Sequence, residues 1–298
     1  MKKIDIHAHV TAFPDFCPPA PYNGQRFLSA EELLSMYDEL GIERGVILPI
    51  TSPDGEMIVL TNESAAYLAS RYPDRLSWFC NVDPRAMQNS VSSNIDYLLG
   101  WYKDHGAKGV GEFTSNLYAD DPLTDHLLSI CAELDLPVLI HIAPKFGGYY
   151  GMIDDLGLPR IESELKKHPK LKIIGHSQFF WSEISAENSD ETRGSYPSGK
   201  VVEGRLPKLM REYPNLYCDL SAGSGSNAMM RDPEYAVKFM TEFADRIYYG
   251  CDICAATNRH QFIFRDFIDG LYGSSALPKE VYEKIVRRNA EKLLGLEE

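Results

Sequence analysis

The sequence predicts an α/β chain folded as a closed (β/α)₈ (TIM) barrel. Two observations predict this directly. Eight short apolar runs alternate with stretches of helical spacing along the chain. The runs are near-continuously apolar, as parallel strands covered on both faces are. A third observation gives the barrel a working end. Four of the eight histidines fall at the ends of the first, fifth and sixth runs, where a barrel places its chemistry.

The eight runs are residues 3–9, 44–50, 76–83, 108–113, 137–143, 171–176, 216–221 and 246–253. Between them, 29–40 opens with Ser29 as a helix cap, carries Glu32 three residues later as a capping box, and stops at Gly41. Residues 62–71 place Ala65, Ala66, Leu68 and Ala69 on one side and end before Pro73. Helical spacing returns at 93–103, 122–134, 161–168, 206–213 and 234–243, and a last helix is expected over 279–294. An open doubly wound sheet is the competing arrangement. It calls for a glycine-rich phosphate turn after the first strand, and none is present.

With 298 residues the chain suits one such barrel, and residues 1–298 read as a single domain. Two connections are long, 10–27 and 179–205, and both follow strands, so both are expected at the barrel mouth. The first is rich in proline and aromatics, including Pro21 and Tyr22.

Apolar residues make up 44% and charged residues 24%, and the net charge is −13. So acidic a chain gains little from counterion release on nucleic acid or an anionic membrane, and neither is expected as a partner. A small-molecule substrate is expected instead, and a homo-oligomer is compatible with the sequence. No apolar leader follows Met1-Lys2-Lys3, and no run approaches a membrane span. The six cysteines show no framework spacing, and Cys251-Asp252-Ile253-Cys254 closes a strand rather than opening a helix. A reduced, cytoplasmic setting is the expectation.

The chemistry starts at Ile4-Asp5-Ile6-His7-Ala8-His9. Side chains two apart on a strand share a face, so His7 and His9 sit about 7 Å apart along the strand and can converge on one ion. His141 ends the fifth run and His176 the sixth. Asp252 ends the eighth run and would lie beside the first in a closed barrel. Glu112 ends the fourth. A carboxylate buried at an apolar strand end is costly unless a cation or hydrogen bonds compensate, and a metal is the simplest compensation. His105, His126, His168 and His260 fall on helices or loops and read as packing or solvated residues.

In this order and spacing the constellation resembles the amidohydrolase superfamily. Within it, the match is to the amidohydrolase-related (amidohydrolase-2) group of metal-dependent hydrolases and decarboxylases, over essentially the whole chain. The resemblance implies that His7, His9 and Asp252 ligate a first divalent ion, most simply Zn²⁺. His141 and His176 then serve as ligands, or His176 acts on the substrate. The two-metal hydrolases of the superfamily bridge their ions with a fourth-strand carboxylated Lys or Glu, and Glu112 stands at the matching position, so one or two ions are expected. Family decarboxylases often show a proline three residues after the H-x-H pair, a proline directly after the fifth-strand His, and a glycine pair after the sixth. Here these places hold Ala12, Ile142 and Ser177-Gln178, which weighs against decarboxylation.

The expected reaction is hydrolysis of a C–N or C–O bond in a small polar molecule. An ion with an open position lowers the pKa of bound water to roughly 7. Asp252 then takes the proton and passes it to the leaving group, and His176 polarises the carbonyl oxygen. A lyase that decarboxylates or hydrates an unsaturated acid is one alternative, and a non-catalytic metal-binding barrel is another. Lys145, Gln178, Trp181 and Arg193 are candidates for substrate contact. Thr51, Ser52, Asn81, Asp83, Asp219, Ser221 and Ser224 occupy other strand ends and read first as loop hydrogen-bonding groups.

Overall fold

The computed structural model describes residues 1–20, 23–55 and 59–297. Pro21 and Tyr22 of the first long connection lie outside the described residues. The strands are β1 Lys3–Ala8, β2 Ile42–Ile47, β3 Leu76–Trp78, β4 Val110–Phe113, β5 Val138–Ala143, β6 Met152–Ile153, β7 Ile173–His176, β8 Leu216–Asp219 and β9 Ile247–Tyr248. Eight of them form the barrel, and the short β6 is an added strand beside β5. All strand pairs are parallel, in the order β1-β2-β3 and β4-β5-β7-β8-β9. Single parallel bridges join the two arcs. Cys80 pairs with Val110 on one side, and Ala8 with Ile253 on the other.

The first helix, Ala30–Leu40, has the full capping box of Ser29 and Glu32, and left-handed Gly41 ends it. The helix Asn62–Arg71 is capped by Thr61. Several elements carry no clear spacing signal in the sequence, among them β6 and the helices Ala222–Met230 and His260–Gly273. The last helical stretch is continuous but takes a π turn over Lys284–Arg288. Asn289 in this stretch donates to the carbonyls of Ala244 and Ile247, which fixes the helix under the entry to β9.

Ile4, Ile6, Val46, Leu48, Phe79, Leu139, Ile174 and Tyr248 fill the barrel interior, closed from below by Ala290 and Leu294 of the last helix. This packing exposes a departure from simple strand alternation. If Ile4 and Ile6 face inward, a regular strand turns His7 outward. A register irregularity between Asp5 and Ala8 resets the phase, so that His7 and His9 face the interior above the two isoleucines. Asp5 fills the irregularity. Its Oδ1 accepts the backbone N–H of His7 at 2.9 Å and of Cys251 at 2.8 Å, and its Oδ2 accepts the Tyr37 hydroxyl at 2.7 Å. Tyr37 reaches it because residue 45 is glycine, where a Cβ would stand 2.2 Å from the Tyr37 oxygen. Burial pushes the Asp5 carboxyl up to about 7 against the pull of these bonds.

Asp5→Ala would leave two buried amides without partners. Loss of about 3 kcal/mol of stability is expected in urea unfolding, from a cost of about 1–3 kcal/mol per orphaned group. A change within error would mean that the irregularity is held by the backbone alone.

Candidate metal centre

Six side chains from five strand ends meet at the barrel mouth, with β1 supplying both His7 and His9. The Nε2 atoms of His7 and His9 are 3.1 Å apart. Asp252 Oδ1 lies 3.6 Å from His7 Nε2 and 3.4 Å from His9 Nε2. Glu112 Oε2 lies 3.7 and 3.3 Å from the same two atoms. The other Glu112 oxygen, Oε1, is 3.9 Å from His176 Nε2, and Asp252 Oδ2 is 4.0 Å from it. Two sets of three donors could each hold an ion: His7, His9 and Asp252 in one, and Glu112, His141 and His176 in the other.

Local backbone aims each group. Asp252 has a left-handed backbone (φ 57°), which aspartate tolerates better than most residues. Its N–H donates to the His7 carbonyl at 2.7 Å, and the His9 N–H donates to the Ile253 carbonyl at 2.9 Å. Glu112 follows Gly111, where a Cβ would stand 2.7 Å from the Leu139 carbonyl. His176 precedes Ser177, whose φ of 106° turns the chain sharply out of β7. The Ser177 hydroxyl accepts N–H groups from Phe180 and from Ile142, which ties this turn to the residue after His141.

The outer nitrogens are also assigned. His9 Nδ1 is 2.8 Å from the Leu48 carbonyl, which can only accept, so Nδ1 carries the proton. His7 Nδ1 donates to Asp219 Oδ2 at 2.7 Å. His141 Nδ1 is buried without a hydrogen-bond partner, and the ring lies 4.3 Å from that of Tyr150. The inward face therefore gathers imidazole nitrogens and two carboxylates in a largely buried space, with Asp252 the most open of them. Such a donor set is repulsive by itself and fits a divalent cation.

The titration tendencies say the same. Burial alone would lower His7 and His9. The surrounding carboxylates, Asp252 first, outweigh it and lift His7 well above the usual histidine range and His9 to about 9. Burial would raise Glu112 and Asp252, but the imidazoles hold both below the carboxylate range. His141 behaves differently, and burial takes it down to about 4.

The family model for amidohydrolases matches residues 4–296. The chain belongs to the amidohydrolase family. No curated protein matches it in sequence. Solved structures similar to this family member include an uncharacterized TIM-barrel protein from Bordetella bronchiseptica, with 18% identity, 99% of each chain covered and a TM-score of 0.66. Another is a probable 2-pyrone-4,6-dicarboxylic acid hydrolase from Acinetobacter baumannii with citric acid bound. It shows 17% identity over 99% of this chain and 100% of that one, with a TM-score of 0.63. A third is a dihydroxybenzoic acid decarboxylase from Polaromonas sp. JS666 with bound manganese and the inhibitor 2-nitroresorcinol. It shows 18% identity over 99% of this chain and 97% of that one, with a TM-score of 0.60. These likenesses establish the TIM-barrel fold.

A cleft of about 600 Å³ opens above His141, lined by Asp54, Asn116, Phe146, Tyr149, Gln178 and Phe179 among others. Of the four candidates for substrate contact, Gln178 lines this cleft, with its amide donating to the Tyr196 hydroxyl at 3.0 Å. Lys145 is exposed nearby, its ammonium 5.6 Å from the centre of the Tyr149 ring. Trp181 and Arg193 are placed otherwise. Trp181 is 2% exposed and spends its indole N–H on the Asp219 carbonyl. Arg193 is 1% exposed and donates to the carbonyls of Asp154 and Asp155, which pins the second long connection to the segment after β6. Asp54, Asn116, Phe146 and Tyr149 carry no signal in the sequence, because they lie on loops without periodicity. Cys251 is buried in the core, and the Cys254 thiol bonds Asn258, so the C-x-x-C letters mark a strand end.

Uptake of a divalent ion is expected to release protons and to weaken as pH falls, because ion and proton compete for the same Nε2 lone pairs. The His9 value of about 9 means that protons still hold at neutral pH. Calorimetric titration in two buffers of different ionisation enthalpy measures the released protons. Equal heats in both buffers would contradict this account.

Proposed function

We propose that this family member is a metal-dependent hydrolase acting on a C–N or C–O bond of a small polar molecule. The observation that carries the reading is the position of Glu112. One of its oxygens faces His7 and His9, and the other faces His176. A carboxylate so placed suits a bridge between two ions, the arrangement of two-metal hydrolases. His7, His9 and Asp252 would hold one ion, and His141 and His176 the other, with zinc the ion that best suits imidazole and carboxylate donors together.

A divalent ion bound there supplies a Lewis acid and makes a neighbouring water acidic near neutral pH. The side chains supply the rest. Asp252 is the more open of the two carboxylates, its side chain 28% exposed against 6% for Glu112. It is the group we assign to take the proton from the attacking water and return it to the leaving group. The cleft is of the size that small ligands fill. Its aromatic wall suits an apolar or flat part of the substrate, and the Gln178 amide suits a polar substituent.

A lyase reading draws support from the manganese-containing decarboxylase of the same fold. Amide, ester and lactone panels run beside a carboxylic-acid panel separate the two. Turnover only in the acid panel, with loss of CO₂, would replace the hydrolase.

Asp252→Asn is expected to lower turnover by about 10²–10⁴-fold, the usual worth of a positioned acid–base group, with the thermal midpoint little changed. Undiminished turnover would remove Asp252 from the mechanism. Elemental analysis should find two ions per wild-type chain and one in Glu112→Gln. One ion in both would make Glu112 a hydrogen-bonding neighbour rather than a bridge.

A further inference from the structure

Asp219 and Ser221 lie beneath the metal centre, on the outer side of the histidines. Both are fully buried. Asp219 Oδ1 accepts the Ser221 backbone N–H at 2.9 Å. Asp219 Oδ2 accepts His7 Nδ1–H at 2.7 Å and the Ser221 hydroxyl at 2.6 Å. The Ser221 oxygen stands 3.0 Å from His176 Nδ1 and 3.1 Å from His7 Nδ1.

Counting protons through these contacts places a hydrogen on Nδ1 of both rings. An ionised carboxylate only accepts, and a serine hydroxyl has a single proton to give. That proton goes to Asp219, the nearest acceptor. The Ser221 oxygen is then left with lone pairs only, so the nitrogens that face it must carry hydrogen. His176 therefore carries hydrogen at Nδ1, as His7 does, which leaves Nε2 as the atom of each ring that faces Glu112 and Asp252.

We propose that Ser221 and Asp219 form one positioning unit that sets the same tautomer on His7 and His176. It aims both Nε2 lone pairs at the space between the two carboxylates. The unit decides between the two roles open to His176. A ring with a bare Nε2 binds a cation or accepts a proton, and it cannot donate a hydrogen bond to a carbonyl oxygen. On this proposal His176 serves as a metal ligand rather than as the group that polarises the substrate carbonyl.

The surroundings are shaped for this unit. At Gly250 a Cβ would stand 2.0 Å from Asp219 Oδ1 and 2.8 Å from the Ser221 Cβ, so only glycine lets the chain after β9 pass so close. The Trp181 indole N–H holds the Asp219 carbonyl from the other side at 3.0 Å. Partners of this kind are worth about 10–100-fold in metal affinity.

The inference rests on the metal-centre reading of His7 and His176, and the test separates the two. Wild-type protein is loaded with ¹¹³Cd²⁺, and long-range ¹H–¹⁵N correlation of the histidine side chains is recorded. The expected result is protonated Nδ1 on His7 and His176, with cadmium coupling to Nε2 of both. Failure of cadmium to bind at all would overturn the metal centre itself. Cadmium bound with His176 protonated at Nε2, or uncoupled, would overturn the positioning unit while leaving the centre. Ser221→Ala adds a second arm. Its Cd²⁺ affinity should fall about 10–100-fold and the His176 signals should lose the single-tautomer pattern. Affinity and tautomer both unchanged in that variant would likewise refute the proposal.

Discussion

Two backbone hydrogen bonds close the barrel at the place where its chemistry is gathered. The Asp252 N–H meets the His7 carbonyl, and the His9 N–H meets the Ile253 carbonyl. They join the first strand to the last, so the two ends of the chain become neighbours. Everything at the mouth depends on that seam. Without it, His7 and His9 would lose Asp252 from beside them, and Asp5 would have no Cys251 amide to hold. The seam is irregular rather than ideal. The phase reset after Asp5 and the left-handed turn at Asp252 face each other across it, and each turns a side chain inward that regular strand geometry would turn away.

Electrostatics sets the second condition. Four imidazoles and two carboxylates share a largely buried volume, and no described Lys or Arg makes an ion pair with Glu112 or Asp252. Burying such groups without a counter-charge is expensive, and the raised His7 and His9 values show that protons supply the charge when nothing else does. The same low-dielectric setting makes a bound cation effective, because its field is little screened. Cost in the empty state and usefulness in the loaded state have one origin.

The long connections divide their work. The second is fastened by Arg193 across the top of the barrel and by the Gln178–Tyr196 contact at the cleft edge. The segment after β5 supplies Phe146 and Tyr149 to the cleft, and Asn116 after β4 binds it through the Gly147 N–H and the Lys145 carbonyl. The cleft wall is thus assembled from loops that contact one another, while the candidate metal ligands rest on strand ends. Chemistry and selectivity sit on separate structural parts, as is usual for this architecture.

The sequence by itself determined the barrel, the capped first helix and the six residues of the centre. These signals are local or periodic: apolar runs of strand length, a cap with its glutamate, and titratable groups at the ends of apolar runs. It also determined the amidohydrolase family, because that order of strand-end residues is specific. Tertiary structure decided what depends on contacts between distant segments. The phase reset in β1 is invisible in a string that reads as a plain strand. Trp181 and Arg193 look like free polar groups in a polar loop until the fold shows where their donors are spent. Asp219 and Ser221 read as ordinary loop residues, and only the approach of β8 to β1 and β7 turns them into the partners of two histidines. A pattern in the chain can say which residues reach the mouth, but proton positions and cleft walls follow from distances that exist only once the barrel has closed.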